Sequence, residues 1–313
     1  MNRMKRFCKQ IFTLGINWFL ALLTIALVLT GCTAGWPPTE VEHVFDDLGR
    51  LVAINGTPQR IISLAPSNTE ILFALGLGDK VVGVTDWCDY PPEALDKEKV
   101  GAYDTPDIEK IASLTPDLIL VAYGTTMDII NNLIGLGLTV FGIKTTDLDD
   151  VLNDIKTIGE ITDNEVEAQA LTSEMESRIE AVTDATSELE QRPRVFYIVW
   201  HDPLWTAGSE TFIHELIEKG GGVNICQNIT GYTTISIEEV VARNPEVIIT
   251  SEWSFEWASN ETGPLASTNA SQTGRIYTCD DNLVQRPGPR LVDGLEWFAY
   301  FIHPEIFEEP EGS

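Results

Sequence analysis

Positive charge and histidine are what this chain most lacks. Its 313 residues hold 20 lysines and arginines against 48 aspartates and glutamates, a formal net charge of −28, with only four histidines. Binding a phosphate backbone needs a basic face, so nucleic acid is excluded as a partner. His214-Glu215 has Glu218 where a zincin has its second histidine, and His201-Asp202 stands beside no G-x-S-x-G nucleophile motif. A dedicated zinc or manganese carrier needs several histidines and carboxylates converging. The expectation is therefore a binding protein and not an enzyme, with no catalytic residue, no resident metal and no cofactor. Cysteine is scarce too: five in all, with no C-x-x-C pair. Cys8 and Cys32 lie near the N-terminus, leaving Cys88, Cys226 and Cys279, too few for a disulfide scaffold or a structural zinc site. These three are either small buried hydrophobes or include one Cys226–Cys279 bridge.

Against those absences stands one long apolar run. Arg3, Lys5, Arg6 and Lys9 precede an almost wholly apolar stretch over 10–30, which ends in Leu29-Thr30-Gly31-Cys32. A basic start, an apolar middle and small residues before a cysteine make a lipoprotein signal, 1–31, cleaved to leave an acylated Cys32. An uncleaved membrane anchor is the alternative, since the run is long enough to span. Both put the body outside the cytoplasm, anchored to the cell membrane. Loss of the four basic residues takes the net charge from −28 to about −32.

The remaining chain divides by pattern. Residues 32–56 read as a tether followed by a hairpin over 43–55. Residues 57–147 alternate short apolar runs, read as buried strands (61–65, 81–84, 118–121, 139–143), with helical spacings, which predicts a parallel α/β lobe. Residues 148–191 hold connector helices: apolar positions at 148, 151, 152, 155 and 158, then a second helix over 163–190 capped by Thr162 or Asp163. Residues 192–308 restart the α/β alternation. The fold class is thus α/β: two doubly wound lobes joined by a long rigid connector helix, with a ligand cleft between them.

The two halves also repeat. Residues 107–120 (DIEKIASLTPDLIL) match residues 236–249 (SIEEVVARNPEVII) at a constant offset of 129. Glu109 and Glu238 occupy the same place in each copy, one acidic knob per lobe, either complementing a helix dipole or engaging a dimeric membrane partner. Ser236-x-x-Glu239 reads as a capping box. The loops expected at the strand ends are aromatic: Trp87 and Tyr123 with Pro66-Ser67 in the first lobe, Trp200, His201, Trp205, Tyr232 and the stretch Trp253 to Trp257 in the second. Such a set suits a large, flat, partly apolar ligand. Arg286, in a rigid loop of an acidic protein, is a candidate polar contact; Arg290 caps the next helix or pairs with a neighbouring acid. His201 could reach a metal's axial position or make a plain polar contact.

These stretches resemble the iron-siderophore and vitamin B12 periplasmic-binding family. They are RIISLAPSNTEILFALG from Arg60 to Gly76, VVGV from Val81, CDYPP from Cys88, PDLIL from Pro116, WTAG from Trp205, GGVNI from Gly221, and RPGPR from Arg286 to Arg290. The resemblance covers about residues 57–308 and is greatest to the cobalamin-binding branch. It implies little hinge closure, a corrinoid as transported ligand, Trp87, Tyr123 and Tyr232 lining the cleft, and Glu109 and Glu238 docking on an ABC permease dimer with its ATPase subunits. A monomer is expected. Two departures from the branch, the placement of Cys226 and Cys279 and Asn282-Leu283 in place of an Asp-Trp pair, leave a ferric siderophore or haem as the alternative ligand. An extracellular enzyme or adhesin on the same fold is the alternative outside the class.

Overall fold

The structure, a computed structural model, describes residues 41–310; Cys32, the expected signal and the tether before Val41 lie outside them. The first lobe is built on a four-stranded sheet in the order β4-β3-β5-β6, with β3 (Ile61–Ser63), β4 (Val81–Val84), β5 (Leu118–Ala122) and β6 (Val140–Ile143) all parallel. Ile61, Ile62, Leu118, Ile119, Leu120 and Phe141 are fully buried, which is why these strands read as unbroken apolar runs instead of alternating ones. Helices α1 (Pro66–Ala74), α2 (Ile108–Ser113) and α3 (Met127–Gly135) connect them. A hairpin of β1 (Val41–Phe45) and β2 (Leu51–Asn55) turns through Gly49 at φ +75°. It is pinned by Asp46, whose carboxylate accepts from the backbone N–H groups of Arg50 (2.8 Å) and Gly142 (3.0 Å).

The second lobe repeats this plan. Its parallel sheet runs β10-β7-β12-β13, from β7 (Arg194–Ile198), β10 (Val223–Asn224), β12 (Val247–Thr250) and β13 (Ile276–Thr278). Its helices are α6 (Phe212–Lys219), α7 (Ile237–Arg243), α8 (Glu252–Ala258), α9 (Asn269–Thr273), α10 (Asp281–Gln285) and α11 (Leu291–Ile302). In both sheets the chain moves one way from its first strand and then returns to the other side of it. Switch points therefore fall between β3 and β5 and between β7 and β12.

The sequence repeat is matched in backbone detail. Thr115 and Asn244, 129 residues apart, both hold a left-handed conformation, at φ 47° and 46°. Two residues on, Asp117 accepts from the backbone N–H of Arg60 (2.9 Å) and Glu246 from that of Arg194 (3.0 Å). The guanidiniums of Arg60 and Arg194 in turn donate to the carbonyls that end α2 and α7.

Two helices join the halves. Helix α4 (Leu148–Thr162) buries Leu148, Val151, Leu152, Ile155 and Ile158, and α5 (Glu165–Ser187) folds back along it. The expected cap at Thr162 or Asp163 is corrected. Asp163 is the left-handed residue that closes α4 (φ 60°), and α5 begins after Asn164. Its 23 residues span about 34 Å at 1.5 Å each. Contact at the hairpin is close: a Cβ on Gly159 would lie 2.5 Å from the Ala168 methyl. Farther along, Arg178 ties α5 to α11 through Asp293 (2.6 Å) and Glu296 (2.8 and 2.6 Å). One apolar core runs from Ile61 and Phe141 through Ile155 and Met175 to Tyr197 and Phe298, so both sheets share it. Cys88, Cys226 and Cys279 are all buried and free, so the Cys226–Cys279 bridge does not form.

Candidate functional site

In the first lobe, Pro66, Trp87 and Tyr123 follow the carboxyl ends of β3, β4 and β5. Pro66 starts α1, a position where its missing N–H costs nothing, and the Ser67 side chain beside it is buried. Trp87 and Tyr123 are 63 % and 73 % exposed, far more than large aromatics usually are. The Lys144 ammonium lies 5.6 Å from the Tyr123 ring centre.

The second lobe corrects a sequence expectation. Residues 200–205, read as a loop, form a hairpin of β8 (Trp200–His201) and β9 (Leu204–Ala207), to which β11 (Tyr232–Thr234) adds antiparallel. Register decides what each side chain can meet. Trp200 is opposite Trp205, and Tyr232 is opposite Ala207, two residues along from Trp205. Side chains alternate along a strand, so Trp200, Trp205 and Tyr232 share one face of this small sheet. All three are partly exposed there, at 43 %, 38 % and 44 %. The His201 ring lies against Trp200, with centroids 4.8 Å apart, so it is continuous with this aromatic group. Its Nδ1 is 2.9 Å from the Ser254 hydroxyl and its ring stacks on Trp257 at 5.7 Å, both on α8. The stretch from Trp253 to Trp257, also expected as a loop, is α8 itself.

Arg286 and Arg290 meet the first lobe. Arg286 Nη1 donates to Asp89 (2.6 Å) and reaches Glu70 at 3.4 Å, while its Nη2 contacts the Trp87 carbonyl at 3.4 Å. Arg290 grips Glu70 with two hydrogen bonds, 2.9 and 2.6 Å, and lies 3.8 Å over the Tyr90 ring centre. Arg290 therefore pairs with a neighbouring acid, Glu70, and its side chain makes no cap hydrogen bond to the helix it precedes. Arg286, expected as a free polar contact, is held in this cluster with its side chain 15 % exposed. Its hydrogen bonds are the main cause that lowers the Asp89 carboxyl below its ordinary range. Glu70 and Asp89 had not been singled out from the sequence. Their only signal was membership of the PSNTE and CDYPP stretches, which the fold brings against RPGPR to bind one lobe to the other beside Trp87.

Glu109 and Glu238 are exposed in the first turns of α2 and α7, after the N-caps Asp107 and Ser236. Neither forms an ion pair among the described residues. The Ser236 hydroxyl accepts from the Glu239 N–H, but the Glu239 carboxylate pairs with Arg243. Half of the expected capping box is present.

Comparison with known proteins shows the family. The family model described as periplasmic binding protein matches residues 61–283. The chain belongs to that family. Within reach of it are a Bacillus subtilis protein named as an uncharacterized ABC transporter substrate-binding lipoprotein, YvrC, and the vitamin B12-binding protein of Vibrio cholerae. The first is 35 % identical over 92 % of this chain and 97 % of its own; the second is 34 % identical over 78 % and 89 %. The crystal structure of the Vibrio cholerae periplasmic vitamin B12-binding protein BtuF superposes with a TM-score of 0.71 at 32 % identity, over 79 % of this chain and 97 % of that one. Family members are extracytoplasmic solute-binding components, and no enzymatic family is indicated.

Proposed function

We propose that this protein captures a corrinoid outside the cell, in the cleft at the switch points of its two sheets, and hands it to an ABC importer. The observation that carries the reading is the 34 % identity to a vitamin B12-binding protein across most of both chains. The aromatic faces supply the chemistry. Trp87 and Tyr123 on one lobe and Trp200, Trp205 and Tyr232 on the other offer flat apolar area to a macrocycle, each ring burying about 150–250 Å². Pro66 and Ser67 border the first switch point. Arg286 lies at the junction, where a ligand amide could exchange for one of its present partners; His201, held by Ser254, stacks between Trp200 and Trp257 and braces the aromatic surface. Glu109 and Glu238 are the docking pair, one per lobe, for a permease dimer carrying its ATPase subunits. The protein works as a monomer, tethered through acylated Cys32, as the lipoprotein name of its Bacillus relative supports. Stable anchoring follows from more than one acyl chain at about 0.8 kcal/mol per buried methylene.

The test is a titration of the purified protein with cyanocobalamin, cobinamide and a ferric hydroxamate, following tryptophan fluorescence. Saturable quenching by the corrinoids is expected. Tight binding of the iron chelate with no response to either corrinoid overturns the ligand assignment. Replacing Cys32 by alanine should move the protein from the membrane to the soluble fraction.

A further inference from the structure

Lysines and arginines are few in this chain, and nearly all of them are engaged. Among the described residues, every one except Lys80 and Lys144 puts its charge on a carboxylate or a backbone carbonyl. Lys80 precedes β4, at the amino end of the first sheet. Lys144 follows β6, at the carboxyl end, on the side of the proposed cargo cleft. Strands β5 and β6 run parallel with Ala122 beside Ile143. The next residue of each, Tyr123 and Lys144, therefore leaves the sheet at the same level. Both are exposed, and the ammonium lies 5.6 Å from the Tyr123 ring centre.

Carboxylates are close at hand, yet none takes this charge. The Lys144 N–H donates to Asp47 in the hairpin turn (2.9 Å) and the Thr145 hydroxyl to Asp154 on α4 (2.5 Å). The Thr146 N–H and hydroxyl both donate to Asp150 (2.8 and 2.6 Å). Three aspartates thus fix three consecutive residues, and among the described residues none of the three pairs with the ammonium. A held backbone with an uncommitted cation at its tip loses little freedom when an outside partner binds. The protein around it is strongly acidic, 48 acids against 20 bases, and repels anions unless a cation is set out for them. Arg286, the other cation near the cleft, is already covered by Asp89 and Glu70. On the corrinoid reading, the cargo carries neutral amide arms and one anionic group, the phosphodiester that closes its nucleotide loop. We propose, resting on that reading, that Lys144 pairs with this phosphodiester while the macrocycle lies against Tyr123. The cleft then favours complete corrinoids over those without a nucleotide loop, with Lys144 as the residue that tells them apart.

The test uses the full-length protein, titrated with cyanocobalamin and with dicyanocobinamide, which keeps the macrocycle and lacks the phosphodiester, and read by tryptophan fluorescence and calorimetry. Lys144→Met retains an apolar stem and removes the charge from an exposed side chain, so the fold should hold. It should weaken cyanocobalamin binding by roughly tenfold, the worth of one charge-assisted hydrogen bond, and dicyanocobinamide binding far less. Lys144→Arg should restore most of the difference. Added sodium chloride should weaken cyanocobalamin binding more in the wild type than in Lys144→Met. An equal loss for both ligands, or no loss for cyanocobalamin, overturns the role of Lys144 and leaves the cargo assignment standing. No response to either corrinoid in the wild type overturns the cargo assignment, and the role of Lys144 with it.

Discussion

Glu70 is 3 % exposed, yet it is an ionised partner for two guanidiniums that arrive from the other lobe. Removing one member of such a set leaves buried charge without compensation. Glu70→Ala should therefore cost about 3–5 kcal/mol in denaturant unfolding, and Glu70→Gln less, because the amide oxygen can still accept one bond from Arg290. A loss under 1 kcal/mol in the alanine variant would contradict that account. Asp154 makes the opposite case. It is 4 % exposed and bonded to the Thr145 hydroxyl at 2.5 Å; burial, helped by the nearby Asp47 carboxylate, pushes its carboxyl up to about 8. A carboxyl raised in the folded state favours folding while protonated, and the advantage is lost as pH climbs from its ordinary value through the raised one. Wild-type stability should thus fall relative to Asp154→Asn between pH 4 and pH 8, where the variant carries no titrating group. Parallel unfolding curves across that range would refute the protonation argument.

At the scale of elements, the helical hairpin and the small antiparallel sheet were legible to different degrees. Apolar spacing over residues 148–158 anticipated the buried face of α4, because a 3.6-residue period needs only local sequence. The partner of that face was not local. The fold-back onto α5 depends on Gly159 and Ala168 approaching too closely for any added carbon. Gly159→Val should separate the two helices there and cost about 1–3 kcal/mol in thermal unfolding, with little change if the helices merely slide. The hairpin over Trp200–Ala207 was missed because β8 is two residues long, too short for alternation to register. With it went the face assignment that groups Trp200, Trp205 and Tyr232. A loop reading had treated these and His201 as equivalent.

Across the whole molecule, two lobes of one topology are held at a set spacing by a shared core, by α5 and its Arg178 clamp on α11, and by the Glu70–Arg290 and Asp89–Arg286 contacts. A body so braced keeps Glu109 and Glu238 at a constant separation, which is what two-point docking requires. Glu109→Ala combined with Glu238→Ala should abolish importer-dependent uptake while corrinoid binding in solution stays intact. Lost binding in the purified double variant would move the pair into the cleft or into folding. The excess of acids also has a global consequence: with 48 acidic against 20 basic residues, self-repulsion is strong, and added salt should raise the unfolding temperature through screening.

The sequence alone determined whatever depends on neighbours along the chain: the buried strands, the N-cap at Ser236, the repeat at offset 129 and the acidic knob in each copy. These are readable from local spacing and residue type without knowledge of any tertiary contact. Tertiary structure decided the rest. Glu70 and Arg290 are 220 residues apart, and no pattern in either stretch says that one answers the other. The facing of the aromatics hangs on strand register, where a shift of one residue exchanges the two sides. Lys144 meets Tyr123 only because β6 pairs with β5. Those are long-range pairings, and their chemistry becomes visible only once the chain has closed on itself.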